Sequence, residues 1–338
     1  MDRTHVAALI VQTQAAADAK SPDDASNPLA PIAGKSVTGW IVDAALNASV
    51  RRVGVIAPAP NADVRSELAT RSDEALIEFV SPTVDIVETL TFAIERLGSE
   101  LTLRDSTHVL LLPAESPQIE STELRSLIDT HVASGAAATL LAPAVDTDLS
   151  TGPVIIRDET GQVTSISETF AEPTSIMCIR AALLIPALHR TVVPTWKSGA
   201  PLAEIAGVLT EAGHQVDVIE RPEPIEVIRS AATRTRIEME LRDRIVNRWI
   251  ERGVVMPDPR QVSIDETVVL GKGVTVLPGS VLEAATVVGD GAIIGPNTQL
   301  HNALVGSQAE VPHSVVRNSE VATRQQVQPF SVLGAASR

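Results

Sequence analysis

This chain of 338 residues is short of several things at once. Aromatic residues make up 2% of it and tyrosine is absent, so stacking platforms for single-stranded nucleic acid are scarce. Positive charge is in deficit: 27 Lys and Arg against 42 Asp and Glu leave a formal net charge of −15. That balance disfavours non-specific attachment to DNA, RNA or anionic membranes, although local donors could still hold a nucleotide. The single cysteine, Cys178, cannot form an internal disulfide and is expected to be a buried structural thiol in a reducing compartment. No apolar run reaches the roughly 20 residues of a membrane span, and "MDRTHVAALIVQ" carries no signal-peptide cleavage pattern. The expectation is a cytoplasmic protein with no nucleic-acid partner and no membrane. Glycine is also late: the first one in the chain is Gly34.

That last absence matters because of what precedes it. "HVAALIV" reads as the opening strand of an α/β nucleotide-binding domain, which would run into a Gly-rich phosphate loop. Here it runs into "QTQAAADAK" instead. Further continuous apolar runs, "RVGVIAP", "THVLLLPA" and "AATLLAPAV", read as strands of a sheet covered on both faces. Between them lie the helical patterns "SVTGWIVDAALNA", "TVDIVETLTFAIERLG" and "STELRSLIDTHVASG". In the last, Leu124, Leu127, Ile128 and Val132 are read as one face, Ser121-Thr122-Glu123 as the cap region and Gly135 as the stop. Repeated βα units predict a doubly wound, mostly parallel sheet.

From Ser230 to Gly253 the pattern is one long charged helix, with Ile237, Leu241, Ile245 and Trp249 along a stripe. Then the period changes. Ile264, Leu270, Val276, Leu282, Val288, Ile294 and Leu300 recur at every sixth position. Val305, Val311, Val316, Val321, Val327 and Leu333 continue at five or six. Six is the period of the hexapeptide β-helix, in which three short strands make a coil and the recurring residue points inward. About five coils are expected, at roughly eighteen residues each.

An α/β domain, a long helix and a left-handed β-helix in that order resemble the bifunctional N-acetylglucosamine-1-phosphate uridylyltransferase/glucosamine-1-phosphate acetyltransferase (GlmU) family. The resemblance runs over almost the whole chain. It is carried by "PLAPIAGKSVTGWIVDAA", by "VLLLPAESPQIESTELRSLIDTHVASGAAATLL" and, most closely, by the stretch from "WIERGVVMPDP" to "IIGPNTQL". It implies a Rossmann-like nucleotidyltransferase domain at 1–228, a linking helix at 229–253 and a hexapeptide β-helix at 254–338.

The family's chemistry joins a sugar phosphate to UTP by in-line attack, which needs phosphate-cradling backbone, cations and a Mg²⁺ held by oxygen. Position by position, this chain departs from that pattern. The family's G-x-G-T-R-M loop falls on Thr13, Ala15 and Ala17, and its following Pro-Lys on Ser26-Asn27. Lys20 or Lys35 could supply a cation, though Lys35 is expected to be peripheral. The uracil-contacting Gly-Thr pair becomes Ile86-Val87, which offers bulk and no side-chain hydrogen bond. The metal-binding aspartate aligns with Glu115 and the partner asparagine with Ala231. One carboxylate longer by a methylene is a poor octahedral site, and a solvated loop carboxylate is the preferred reading of Glu115. Gly152 and Glu168 match the family's sugar-binding glycine and glutamate, with a turn glycine and a strand-end charge as the plain alternatives. Met177 stands where the family has its sugar-contacting asparagine. The family's acetyltransferase coils lie beyond a P-F-x-x-L-R-P-G segment. This sequence reads "QPFSVLGAASR" there, and those coils with their catalytic histidine region are expected to be absent. His301 and His313 read as surface residues, and the other histidines lack metal-ligand spacing.

Together these replacements predict a degenerate relative without uridylyltransferase or acetyltransferase activity, with no cofactor, acting as a structural or regulatory partner in homo- or hetero-oligomers through its β-helix. The alternative is an active, divergent enzyme using Mg²⁺ to transfer UMP from UTP to N-acetylglucosamine-1-phosphate or a related sugar phosphate for cell-envelope precursors. A nucleotide-sugar sensor is a third reading.

Overall fold

The computed structural model describes residues 6–11, 30–57, 62–71, 75–81, 83, 85–98, 107–143, 153–159, 163–168, 176–191, 202–222 and 225–334. In chain order the strands begin with β1 (Val6–Val11), β2 (Pro31–Ile32), β3 (Lys35–Ser36), β4 (Arg52–Ile56), β5 (Leu76–Val80) and β6 (His108–Pro113). They continue with β7 (Ala138–Pro143), β8 (Pro153–Arg157), β9 (Val163–Glu168), β10 (Ile176–Arg180) and β11 (Val216–Arg221). The described helices are α1 (Val37–Asn47), α2 (Ala62–Ala69), α3 (Ile86–Leu97), α4 (Ser121–Ser134), α5 (Ala181–Leu188), α6 (Leu202–Glu211) and α7 (Ala231–Glu251). None of them is long and apolar enough to cross a membrane. The chain divides into two compact units. One contains Ser36–Arg234 with the first strand, and the other contains Pro31–Lys35 and Thr235–Arg338.

The first unit is built on a seven-stranded sheet of order β11-β7-β10-β6-β1-β4-β5. Strand β1 lies between β6 and β4, parallel to both, and all six of its residues are buried. A strand covered on both faces has no polar side to show, which is why "VAALIV" is continuous rather than alternating. Leu9 and Val11 face one core with Leu111, Leu90, Ile94 and Leu184. Ala8 and Ile10 face the other with Ile41, Leu110, Leu124 and Leu127. The one reversed strand, β10, runs antiparallel between β6 and β7. Its apolar "IMCI" carries no mark of direction, so sequence pattern alone leaves that reversal unread. Cys178 lies within it, fully buried, and burial raises its thiol pKa well above the usual range.

Helix α4 corrects two expectations. Its cap residue is Glu120, one position upstream of the expected region, whose N–H donates to the Glu123 carboxylate at 3.1 Å. Gly135 closes it in the left-handed conformation with φ 65°. The buried face is Leu124, Leu127, Ile128 and His131, while Val132 is exposed. The reason is helical geometry: from Leu124, the face continues at i+3, i+4 and i+7, and i+7 is the histidine.

The second unit is a left-handed parallel β-helix. Its strands are β12 (Ser263–Ile264), β13 (Val269–Leu270), β14 (Thr275–Val276), β15 (Val281–Glu283), β16 (Val287–Val288) and β17 (Ile293–Ile294). They are followed by β18 (Gln299–His301), β19 (Leu304–Val305), β20 (Glu310–Val311), β21 (Val315–Arg317), β22 (Glu320–Val321) and β23 (Val332–Leu333). They stack into three parallel sheets, β12-β15-β18-β21-β23, β13-β16-β19-β22 and β14-β17-β20. Every hexad residue from Ile264 to Val327 is buried, and Leu333 is partly buried. The coils lie so close that a Cβ on Gly306 would fall 2.4 Å from the backbone nitrogen of Thr323, so only glycine fits there. At one corner Asn302 and Asn318 both take positive φ, and Asn302 Nδ2 donates to Asn318 Oδ1 at 2.9 Å. Asparagine tolerates that conformation and ties successive coils together. Helix α7 carries its expected stripe, with Ile237, Leu241, Ile245 and Trp249 all buried.

Candidate functional site

In an open α/β sheet, ligands bind beyond the carboxyl ends of the strands. The central strand β6 leads there into Ala114, whose N–H donates to Val11 O at 2.9 Å. Glu115 and Ser116 follow, both at 0% exposure. Burial of Glu115 overturns the expectation of a solvated loop carboxylate. The loop is covered because Ile225–Ile228 is laced across it: Ile228 N donates to Glu115 O at 3.0 Å, and Gln118 Nε2 to Glu226 O at 3.1 Å. Ser116 Oγ and Gln118 Oε1 are buried without a hydrogen-bond partner among the described residues. The loop is therefore a covered polar segment rather than an open carboxylate ledge.

The crossing segment leads directly into α7, whose first residue is Ala231. Ala231 is exposed and ends in a methyl group, so it offers no side-chain oxygen. Among the described residues no three His, Cys, Asp or Glu side chains gather into a metal-binding group. Mg²⁺ demands octahedral oxygen coordination, and one buried carboxylate with an alanine at the second aligned position does not fit it.

Ile86 and Val87 open helix α3. The N-terminal amides of this helix are taken by the chain itself. Asp85 caps it, its Oδ1 accepting from Val87 N at 2.8 Å and from Glu88 N at 3.4 Å. A ligand carbonyl or phosphate would have to displace that carboxylate. Met177 is fully buried in β10, opposite Leu111 and Leu140, and belongs to the sheet core. Glu168 ends β9, its backbone opposite Pro153. Thr13, Ala15, Ala17, Lys20, Asn27 and Gly152 lie outside the described residues. Lys35, expected at the periphery, is buried and pairs with Glu266 at 3.8 Å.

Sequence reasoning also missed a buried network at the opposite end of the sheet. His108 Nδ1 lies 3.0 Å from His131 Nε2, and His131 Nδ1 lies 2.9 Å from Thr139 Oγ1. The guanidinium of Arg180, the residue paired with His108, donates to the carbonyls of Gly135 and Ala136 at the end of α4. Burial first, then His108 and Arg180, lower the His131 pKa to about 4, with Asp217 opposing. The available signal was the position of His131 on the apolar face of its helix.

On the solenoid, Val269, Val287 and Leu304 stand side by side on β13, β16 and β19 and are 53%, 38% and 48% exposed. This apolar row ends at Glu320.

The solenoid places the chain first among the hexapeptide-repeat proteins: the bacterial transferase hexapeptide (six repeats) family matches residues 267–302. The α/β unit ahead of it narrows the class to nucleotidyltransferase-like proteins with a β-helix. The chain is 27% identical over 322 residues to the bifunctional protein GlmU of Streptomyces avermitilis, covering 91% of this chain and 65% of that relative. It is 27% identical over 311 residues to that of Caldanaerobacter subterraneus subsp. tengcongensis, covering 89% and 66%. Over 237 residues it is 30% identical to that of Bifidobacterium longum subsp. infantis, covering 67% and 51%. The chain is similar to GlmU proteins over most of its length and spans just under two thirds of the length of the first two relatives.

Proposed function

We propose that this chain is a non-catalytic GlmU-like protein that uses neither a metal nor UTP and acts as a structural or regulatory assembly partner. The observation that carries the reading is the pair at the metal positions. Glu115 is wholly buried under Ile225–Ile228, and the Ala231 side chain has no oxygen to offer. Val87 and Met177 support it, because their side chains pack into the chain's own core, and Asp85 takes the amides of Val87 and Glu88 for the helix cap. Assembly runs through the apolar row Val269, Val287 and Leu304, with further copies of this chain as the occupant. An exposed row of apolar side chains in register is suited to a matching row on another copy.

One observation favours a second reading. Among the described residues Ser116 Oγ and Gln118 Oε1 are buried polar atoms with no hydrogen-bond partner, close in sequence to a carboxylate at the strand end, as a site for a nucleotide sugar would require. Calorimetric titration of the full chain with UTP and with UDP-N-acetylglucosamine, each with and without Mg²⁺, separates the readings. Folded protein that gives no heat is the expected result. Binding tighter than about millimolar, strengthened by Mg²⁺ and lost in Glu115→Gln, would overturn the non-catalytic reading and favour a divergent nucleotidyltransferase. Binding of UDP-N-acetylglucosamine alone, indifferent to Mg²⁺, would identify a sensor.

A further inference from the structure

The first coil of a parallel solenoid has no coil before it, so its backbone donors need another source of partners. Three segments supply them. Val255 N donates to Val274 O and Val276 N to Val255 O, both at 2.9 Å, and Gly279 N donates to Gln261 O at 2.8 Å. Both acceptor segments lie just before the coil in the chain. The third comes from far upstream: Glu266 N donates to Ala33 O at 2.9 Å.

Ala33 and Gly34 form the turn of the β2–β3 hairpin, with φ 48° and 83°. Positive φ at both central positions is what a tight primed hairpin needs. Gly34 approaches so closely that a Cβ there would fall 2.4 Å from Asp265 Cβ. Burial raises the Asp265 carboxyl pKa, as expected of a covered group. The neighbouring Glu266 is held twice. Lys35 Nζ lies 3.8 Å from Oε1, while Arg248 grips both oxygens, Nη1 at 3.1 Å and Nη2 at 2.5 Å. Lys35 is itself 8% exposed, so it is set into this corner rather than reaching over it.

We propose that Pro31–Lys35 is a built-in strap that stands in for the missing rung over the Asp265–Glu266 corner. The Lys35–Glu266–Arg248 cluster holds it docked. Docking seals the first coil, and release opens one edge of it.

The test is residue-resolved hydrogen exchange on the full chain. Gly34→Ala adds the colliding Cβ. Gly213→Ala is the control, because Gly213 also has positive φ, 81°, with nothing within 4 Å of an added Cβ. The expected result for Gly34→Ala is exchange about tenfold faster at the Glu266 amide, with Val276 and Gly279 amides unchanged. Gly213→Ala should leave Glu266 as in the parent. Lys35→Met, which keeps length and burial, should speed Glu266 exchange by a smaller factor even if Gly34→Ala fails to fold. Glu266 protection unchanged in both Gly34→Ala and Lys35→Met overturns the proposal. So does equal loss at Glu266, Val276 and Gly279, which would mean general loosening.

Discussion

The solenoid and the α/β unit solve the same problem, burying apolar side chains, by different rules. In the solenoid a residue's fate depends on its place in the six-residue period and on the coils next to it. Leu282, Leu300 and Val316 are buried because each stacks on its neighbour. In the α/β unit the same apolar character can mean opposite things. Val132 is exposed one residue from the buried His131, and the sulfur-bearing Met177 is wholly in the core. A local repeat carries its own structural instructions; a non-local sheet waits for partners distant in the chain.

The sharpest break of this comparison is a charge in the stacked column. Leu300→Asp should cost about 4 kcal/mol or more, since an ion would be buried without a partner. Denaturant unfolding measures the loss, and hydrogen exchange should place it on β15, β18 and β21. Leu111→Ala in the sheet should cost about 3 kcal/mol by opening a cavity between β6 and its covering helices, with protection lost across the whole sheet. Equal spreading in both variants would refute the contrast.

The next effect is roughly 3 kcal/mol and depends on pH. The His131 pKa is lowered in the folded protein from 6.5 to about 4, so the unfolded chain binds the proton more readily. The contribution is fully present above pH 6.5 and is lost as pH falls towards 4. His108 on β6, Arg180 on β10 and Asp217 on β11 are the groups that set this balance. Urea midpoints recorded between pH 7 and 4 should fall less steeply in His131→Gln than in the parent. A parallel decline would remove His131 as the cause.

Smallest in stability, though not in consequence, is the outer row. Val287→Glu with Leu304→Glu should change unfolding free energy by no more than about 0.5 kcal/mol each, because both side chains face outward. Sedimentation should nevertheless show self-association lost. A monomeric parent, or a charged variant that still assembles, would send the search to a different face or to a different protein.

How legible each region was follows from the same contrast. The hexad run alone identifies the buried residue of nearly every coil, and the stripe on α7 is equally plain. In the α/β unit the four continuous apolar strands were readable, but β5, β10 and β11 were not, because strand direction and sheet neighbour leave no local trace. Glu115 shows the limit at the candidate site. Its carboxylate identity is plain from sequence, yet its exposure is set by Ile225–Ile228, more than a hundred positions away.

By itself, then, the sequence determined the solenoid, the linking helix, the class of the first unit and the absence of side-chain oxygens at Ala231, Ile86 and Val87. These depend on period and on side-chain chemistry, which are written locally. Only the tertiary structure decided that Glu115 is sealed, that His131 is buried in a network with His108 and Thr139, and that Lys35 closes on Glu266. Each of those depends on which distant segment lies across the residue, and burial by a distant segment is a property of the fold.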